Sequence, residues 1–387
     1  KYADLNKTQL VDYTVVNTTA FDAQGNAVDQ TINTYVGGTV DGYLASRRVI
    51  HNIGIDNRGD ALTQQITVYQ TDETGKALTL EVVSYQVLTN RAYDFEHNVL
   101  NQNILTYTQQ GGTLIDVQEV RNLAYHTSGA AINQIIAAYT DTTKTVLIDA
   151  KTVLNEGIHA NGDVDKTTIT KYSNCTVASS GVGAITVNDA NAIDRQIIET
   201  TSRDLRGNAL GQNVTRQYWT GSVFAFSEYQ VITNGPYDVH DRTGRTGIMS
   251  YSSATPSLAS FKEFQNIVYV HYDRYGNATE QTIAAYVDDP NTAGINPTVL
   301  VDYKVIKSDF AGNKVAQKKG NAATTETWKY ADLNKTQLVD YTVVNTTEFD
   351  IRGNAVRQTI NTYVGGTVDG YLASSREIYN IAIDNRG

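Results

Sequence analysis

One short motif recurs along the chain at intervals of 32 to 45 residues, and this recurrence limits the chain to a repeat architecture. Each copy is headed by an aspartate or, twice, a histidine, and most copies carry a glycine three residues later. A glutamine commonly follows eight residues after the head, Ile or Val ten after it, and Tyr thirteen after it. The heads are Asp22, Asp56, Asp94, His126, His159, Asp204, Asp238, Asp273, Asp309, Asp350 and Asp384. Fixed offsets of this kind predict units that bury their apolar faces by stacking on their neighbours.

The core of the motif, Asp-x-x-Gly-Asn, predicts a tight turn. An aspartate carboxylate accepts a hydrogen bond from the backbone amide two residues on, and glycine adopts positive φ without steric cost. We therefore expect a type I turn with a bulge, with positive φ at glycines such as Gly25, Gly276 and Gly353.

The segments on either side of each turn have the period of two that is typical of strands. In AVDQTINTY, Val28, Gln30 and Ile32 share one face, and the residues between them share the other. The abundance of Thr, Val, Ile and Tyr suits a pleated, half-buried surface. The predicted fold class is all-β, a repeat array of long antiparallel β-hairpins that forms a spiral or tubular sheet.

A longer period lies above the hairpin period. Residues 1–59 match residues 329–387 at 51 of 59 positions, which predicts one super-repeat of about nine hairpin units over 1–328 and the start of the next over 329–387. The eight differences are Ala20/Glu348, Ala23/Ile351, Gln24/Arg352, Asp29/Arg357, Arg47/Ser375, Val49/Glu377, His51/Tyr379 and Gly54/Ala382. Two lie at a turn tip and three alternate along one strand, so we expect the altered positions to face solvent.

The Tyr-Asp-x-x-Gly-Asn core, clearest in YDRYGNATEQTIAAY at residues 272–286, resembles the YD repeats of the Rhs and teneurin families. The resemblance extends through nearly the whole chain. It implies strands that wind into a large β-shell or spiral, usually on or outside the cell. The units here are longer than typical YD units, and no encapsulated toxin or core-associated protease segment is recognisable, so the toxin-cage function does not carry over.

Composition and charge exclude several classes of protein. The chain carries 31 basic and 41 acidic residues, a net charge of -10, and it has no basic stripe, so nucleic acid and anionic membrane are poor partners. No apolar stretch approaches the ~20 residues of a membrane span, and the opening KYADLNKTQL does not have the pattern of a signal peptide. The single cysteine, Cys175, excludes an internal disulfide framework and a multi-cysteine metal site.

No catalytic, cofactor-binding or metal-binding residue is predicted, and no cofactor. The nucleophile-elbow, zincin, P-loop and haem-attachment motifs do not occur. His126 and His159 occupy the head of the motif, His97 replaces a turn glycine, and His51, His240 and His271 lie in or beside turns and strands. We expect structural placements for all six histidines, and at Cys175 a buried or idle thiol rather than a nucleophile or an intermolecular bridge.

Three binding signals compete with ordinary turn chemistry. HANGDVD at 159–165 and the Asp-x-x-Gly-Asn turns offer oxygen ligands for Ca²⁺, which needs six or more of them. Arg58, Gly59 and Asp60 match an integrin-binding tripeptide, but they also form the Gly-Asp step of a turn. Asn-x-Ser/Thr triplets are candidate glycan sites in a secreted chain, although a Thr- and Asn-rich composition produces them by chance; they begin at Asn6, Asn17, Asn174, Asn213, Asn277, Asn334 and Asn345.

The recurring Gln and Tyr leave two interpretations open. If the Gln row faces inward, its amides need partners, because an unpaired buried amide costs about 1 to 3 kcal/mol. Ladders of identical side chains or backbone groups would satisfy them. Alternatively, Gln lies on the wet face of the sheet and Tyr serves as an amphipathic cover.

These features together predict a structural protein: a repeat segment of an extracellular or cell-surface fibre that assembles with itself, in one long chain or in stacked chains. The alternative is a repetitive surface adhesin whose loops, such as VDDPNTAGINP at 287–297, bind carbohydrate or another cell. An enzyme is not expected. We also expect these residues to belong to a longer polymer in which 1–59 and 329–387 share one backbone conformation.

Overall fold

The fold is almost entirely β. A computed structural model describes residues 1–2, 10–37, 43–71, 80–365, 370–381 and 383. Strand accounts for 63% of it, and among the described residues the helices are α1 (Lys314–Lys318) and the 3-10 turns Asp189–Asn191 and Leu258–Ser260. The predicted all-β class is therefore confirmed. No helix in the described ranges is long and apolar enough to cross a membrane.

The chain divides into two compact units, which are interleaved in sequence near residues 209–241. The first comprises Lys1–Asn208, Trp219–Phe224 and Asp238–Asp241, and the second comprises Ala209–Tyr218, Ala225–Tyr237 and Arg242–Gly387. This division does not fall at residue 328, and the nine-hairpin super-repeat stays a prediction.

The strands of the first unit alternate with the predicted turns. They are β1 (Asp12–Phe21), β2 (Ala27–Val36), β3 (Tyr43–Ile55), β4 (Ala61–Gln70), β5 (Glu81–Tyr93), β6 (Val99–Tyr107), β7 (Leu114–Tyr125), β8 (Ala131–Tyr139), β9 (Leu147–Ile158), β10 (Val164–Tyr172), β11 (Thr176–Val177), β12 (Ile185–Thr186) and β13 (Ala192–Arg203). Strands β1 to β10 pair antiparallel in chain order, and β10 then pairs with β13. The short β11 and β12 form a separate hairpin.

The strands that lie wholly or mainly in the second unit follow the same order of pairing. They are β14 (Ala209–Trp219), β15 (Phe224–Asn234), β16 (Arg245–Tyr251), β17 (Phe261–Tyr272), β18 (Ala278–Val287), β19 (Val299–Asp309), β20 (Thr324–Tyr330), β21 (Leu338–Phe349), β22 (Ala355–Val364) and β23 (Tyr371–Tyr379). From β15 to β23 each strand pairs antiparallel with the next. Within each unit, the pairings of the described strands form an antiparallel sheet, from which β11 and β12 are separate.

The two sequence copies have the same strand register. In the first copy Tyr13 is opposite Tyr35, and in the second Tyr341 is opposite Tyr363. The irregularities near the turn recur at the same places, and β22 pairs with β23 as β2 pairs with β3. The copies therefore share their pairing, as the sequence predicts; Asp384 and Gly387 lie outside the described residues.

The buried part of the sheet is small and partly polar. One apolar cluster joins Val117 of β7, Ala137 and Tyr139 of β8, and Ile185 of β12. The hairpin β11–β12 belongs to the longest interval between motif heads, from His159 to Asp204. It packs on the sheet because the extra residues supply the apolar cover that a single sheet face lacks.

Candidate functional sites

The repeated turn has the predicted hydrogen bonds. Asp22 Oδ1 accepts the backbone N–H groups of Gln24 and Asn26, each at 2.8 Å, and Asn26 Nδ2 donates to Asp22 Oδ2 at 2.9 Å. The φ of Gly25 is +86°. The bonds from Asn26 hold the pKa of Asp22 below its ordinary value. Equivalent amide-to-carboxylate pairs occur at Asn98/Asp94, Asn208/Asp204, Asn277/Asp273 and Asn354/Asp350.

The histidines take structural places within this pattern. His126 Nδ1 accepts the backbone N–H of Ser128 at 3.2 Å, so the imidazole replaces the head carboxylate. His97 replaces the turn glycine with a φ of +68°, and its Nδ1 lies 2.6 Å from Asp60 Oδ1. His159 Nε2 lies 2.8 Å from Asp165 Oδ1. These contacts place the three histidines within or beside the repeated turns.

The other three histidines are on or beside strands. His51 Nδ1 lies 2.6 Å from Asp29 Oδ1 on the neighbouring strand. His240 Nε2 lies 3.4 Å from Thr71 Oγ1, and His271 is opposite Glu280 in the β17–β18 pair. No two of these three share a site in the contacts of the described residues.

The Gln row forms part of a polar ladder, defined here as the side-chain hydrogen bonds that cross each hairpin and, through its Asn, connect it to the preceding hairpin. The Gln Nε2 donates to an Asn or Thr side chain twelve residues earlier, on the paired strand. The pairs are Gln30/Thr18 at 3.3 Å, Gln64/Asn52 at 2.9 Å, Gln102/Asn90 at 2.6 Å, Gln134/Asn122 at 2.6 Å and Gln358/Thr346 at 3.1 Å. The partner is thus a different side chain, whereas the expected ladder was one of identical residues.

Each ladder Asn also reaches the preceding hairpin. Asn52 Nδ2 donates to the carbonyl of Ala27 at 2.8 Å, and Asn122 Nδ2 donates to that of Val99 at 2.7 Å. The Tyr before the motif head reaches the same carbonyl: Tyr125 Oη donates to Val99 at 2.6 Å. Burial raises the pKa of Tyr125 to about 12, so its hydroxyl keeps its proton and the bond near neutral pH.

Arginines at the turns make a second connection between hairpins. Arg58 Nη2 donates to the carbonyl of Asp94, the next motif head, at 2.7 Å. Arg206 Nη1 donates to the carbonyl of Asp238 at 2.7 Å. The ladder and these bonds make the stability of each hairpin depend on its neighbour.

A buried charge cluster lies on β7 of the first unit. Glu119 is fully buried and accepts hydrogen bonds from Arg91 Nη1 at 2.7 Å, from Arg121 Nη1 at 3.0 Å, and from Lys144 Nζ. Burial acts to raise the pKa of Glu119, but the bonds from Arg91, Lys144 and Arg121 outweigh it and lower that pKa. The carboxylate is therefore ionised and fully engaged at neutral pH.

The same cluster fastens the β11–β12 segment to the sheet. Arg121, which is also fully buried, donates from Nη2 to the carbonyl of Ala178 at 2.7 Å, and Asn101 Nδ2 donates to that of Gly181 at 3.0 Å. Sequence analysis did not single out these residues. The long interval before Asp204 was the available signal, because it marked an insertion that had to pack somewhere.

Cys175 lies at the edge of this region, half-buried and 3.8 Å from Tyr139 Oη. Burial raises the pKa of its thiol, which lowers the thiolate fraction and with it the nucleophilicity. This environment agrees with an idle thiol.

The integrin-like tripeptide does not present its acid to a partner. Asp60 is only 4% exposed, and its carboxylate faces His97 Nδ1 at 2.6 Å and Arg58 Nε at 3.6 Å. The tripeptide is a turn element here.

The candidate Ca²⁺ ligands in residues 159–165 form hydrogen bonds and contacts with one another. Asn161 Nδ2 donates to Asp163 Oδ2 at 2.7 Å, and Asp165 faces His159, so these groups contact one another. Within the described ranges, no group of three or more His, Cys, Asp or Glu side chains is arranged to hold a metal ion.

The candidate glycan sites differ in access. Asn17, Asn174 and Asn334 are exposed, whereas Asn213 and Asn345 are half-buried. Asn277 Nδ2 donates to Asp273 Oδ2 and to the carbonyl of Gln317, so its nitrogen is occupied by the turn. Asn6 lies outside the described residues.

Comparisons with known proteins do not identify a family for this chain. No family model matches it, and no curated protein matches it. A Tc holotoxin pore of Photorhabdus luminescens matches 97% of this chain with 19% of its own, at 10% identity and a TM-score of 0.21. The TcdB2–TccC3 structure without its hypervariable C-terminal region matches 96% of this chain with 23% of its own, at 11% identity and a TM-score of 0.18. The chain thus spans about a fifth of the length of these structures, and TM-scores this low amount to a weak resemblance that carries no functional inference.

Proposed function

We propose that this chain is a structural repeat segment of an extracellular or cell-surface fibre. The observation that carries the proposal is the repetition of the β1–β3 register in β21–β23. A pairing pattern that returns after a fixed number of residues can be continued in one direction without a change of geometry. Such continuation is the basis of solenoid and fibre architectures.

The environment of the two copies indicates how units would continue. In the second copy β20 covers the outer edge of β21, with Thr327 opposite Thr342 and Tyr330 opposite Leu338. In the first copy Tyr2 bridges Leu10, which is the pair equivalent to Tyr330 and Leu338, so this pairing also repeats.

The polar ladder and the turn arginines support the same role. The Asn-to-carbonyl bonds of the ladder and the bonds from the turn arginines join consecutive hairpins, where they define the spacing of an array. The loop at 287–297 gives the adhesin alternative no comparable support, because its acids bond within the loop: Asp288 Oδ1 accepts the N–H of Asn296 at 2.6 Å, and Asp289 Oδ1 accepts that of Asn291 at 2.9 Å.

The proposal is tested by electron microscopy of chains that contain one, two and three tandem copies of residues 1–328. We expect unbranched particles whose length grows in proportion to the number of copies. Val16→Pro in each copy after the first, the position that Val344 of β21 occupies, is the matched control, because a proline inside that strand removes a backbone hydrogen bond of the sheet and should interrupt the particles there. Compact particles of the same length for all three chains would contradict the proposal.

A further inference from the structure

An insertion interrupts the repeat in the second unit. The outgoing strand normally begins five residues after the motif head, as at Ala278 after Asp273 and at Ala355 after Asp350. After Asp309 it begins fifteen residues later, at Thr324, and α1 occupies the extra length. Gln317 is eight residues after Asp309, at the Gln offset of the motif, but it lies in this helix and not in a strand.

A cleft of about 500 Å³ lies at the interruption, within the ~300–1,000 Å³ typical of small-molecule sites. The same three motif positions line it twice, once from the hairpin before the insertion and once from the hairpin after it. These lining residues are Asn277, Ala278 and Gln281, and Asn354, Ala355 and Gln358. The side chains of Ser308, Thr325, Phe310 and Phe349 also contribute to the lining.

The cleft contains polar groups that the fold does not use. Gln358 belongs to the polar ladder through Thr346, but the residue twelve before Gln281 is Tyr269, whose ring stacks on Tyr272 at 5.6 Å. Among the described residues, the side chains of Gln281, Ser308 and Thr325 have no hydrogen-bond partner. All three residues are half-buried, so their polar groups are available to form hydrogen bonds with a ligand.

The chemistry of the lining selects a class of ligand. Among the described residues, no Asp, Glu, Lys, Arg or His lines the cleft, and a charged ligand would leave its charge uncompensated there. Amides and hydroxyls together offer both donors and acceptors, and the phenylalanine rings offer an apolar surface. A pyranose ring has this combination of neutral hydroxyls and an apolar C–H face.

We propose that this cleft binds a neutral saccharide unit, with Gln281, Ser308 and Thr325 as its hydrogen-bonding groups and the phenylalanine rings as its apolar wall. The site is separate from the loop at 287–297. It does not depend on the fibre proposal, because it arises from the insertion within one unit.

The test is saturation-transfer NMR and calorimetric titration of the full chain with methyl glycosides of glucose, galactose, mannose and N-acetylglucosamine and with their β1,4-linked disaccharides. At least one should bind, and Gln281→Leu should weaken that binding about tenfold, since it removes one hydrogen-bonding amide. The urea midpoint of Gln281→Leu should equal that of the wild type, because this amide has no partner in the fold.

Gln134→Leu is the matched control. Its amide donates to Asn122 in the polar ladder, so the control should lower the urea midpoint and leave saccharide binding unchanged. Failure of every glycoside to bind, equal binding by wild type and Gln281→Leu, or stronger binding of a charged sugar such as glucuronate would overturn the proposal.

Discussion

Residues 12–37 and 340–365 have nearly the same sequence and the same strand register, yet their surroundings differ. The turn at Gly25 is open, with no atom within 4 Å of the position a Cβ would take. The equivalent turn at Gly353 packs under α1, where that position is 3.2 Å from Ala316 Cα. The hairpin sequence itself therefore sets the strand register, whereas the packing around a copy depends on neighbouring segments such as α1.

Residues that differ between the two copies lie next to one another in a row across the strands, and each copy has its own contacts along that row. In the first copy Ala20 is opposite Asp29, which is opposite His51, and the Asp29–His51 pair is at 2.6 Å. In the second copy the corresponding row is Glu348, Arg357 and Tyr379: Arg357 lies 5.0 Å from the ring centroid of Tyr379 and 3.9 Å from the Glu348 carboxylate. None of the differing positions that the structure describes is buried, as the sequence predicts.

The largest difference between the copies is expected at the turn glycines. Gly25→Val forces a β-branched residue to positive φ and should cost about 2 kcal/mol of unfolding free energy. Gly353→Val should cost about 2 kcal/mol more, because its side chain also overlaps α1. Urea unfolding of the two variants measures this gap, with Gln24→Val as a control of small effect. Equal losses of unfolding free energy for the two glycine variants would show that α1 does not restrict the side chain at position 353.

The next difference concerns a tyrosine hydroxyl whose acceptor lies on β20. Tyr341 Oη donates to Glu326 Oε1 of β20 at 2.5 Å, whereas its counterpart Tyr13 is 38% exposed. Tyr341→Phe should therefore lower the unfolding free energy by about 1 kcal/mol, and Tyr13→Phe should leave it nearly unchanged. A matching loss in both variants would show that the β20 contact is not the cause.

Tyr341 also gives the second copy a pH dependence. Burial, with the bond to Glu326 adding to it, raises the pKa of Tyr341 from 10.0 to about 12. Because the folded-state pKa is the higher one, this contribution to stability is complete below pH 10 and is lost as the pH rises toward 12. Urea midpoints of wild type and Tyr341→Phe should converge over that range. A constant separation would contradict the raised pKa.

The polar ladder should respond equally in the two copies. Gln30→Leu and Gln358→Leu each remove one amide that donates to a Thr hydroxyl, at a cost of about 1 kcal/mol each. Denaturant titration of the two variants therefore tests a position at which the two copies should not differ. A loss in only one copy would mean that the ladder does not repeat.

The smallest expected effect is the coupling within the exposed row. Asp29→Arg alone should destabilise slightly, because it places a cation opposite His51 and removes that residue's acceptor. The triple variant Ala20→Glu, Asp29→Arg, His51→Tyr should recover the loss, since it reproduces the row of the second copy. A cycle of single and triple variants measures the coupling, and simple additivity would show that the three positions vary independently.

Sequence reasoning predicted the parts of the fold that are encoded locally. The turn at Asp22 and the alternation in β2 follow from residues a few positions apart. Only one side of the polar ladder was predicted from the sequence. Gln30 was recognised by its fixed offset, but its partner Thr18 lies twelve residues earlier on the other strand. That partner position holds Asn52, Asn90 and Asn122 in later hairpins, and this recurrence was a usable signal.

The departures from the repeat could not be predicted in the same way. Helix α1 follows a turn that obeys the motif, and nothing in the Gln317 offset distinguishes helix from strand. The bond between Arg121 and the β11–β12 segment joins residues more than fifty positions apart. Tertiary burial, rather than local pattern, decides where such insertions lie.

The most direct test of a register that repeats every 328 residues is an experimental structure, by cryo-electron microscopy or crystallography, of a chain that contains two tandem copies of residues 1–328. The strand equivalent to β4 in the second copy should then pair on the outer edge of β23, in the register in which Ile50 is opposite Ile66. That pairing would place Ile378 opposite the second-copy equivalent of Ile66. A β23 edge left unpaired, or paired in a shifted register, would contradict the account.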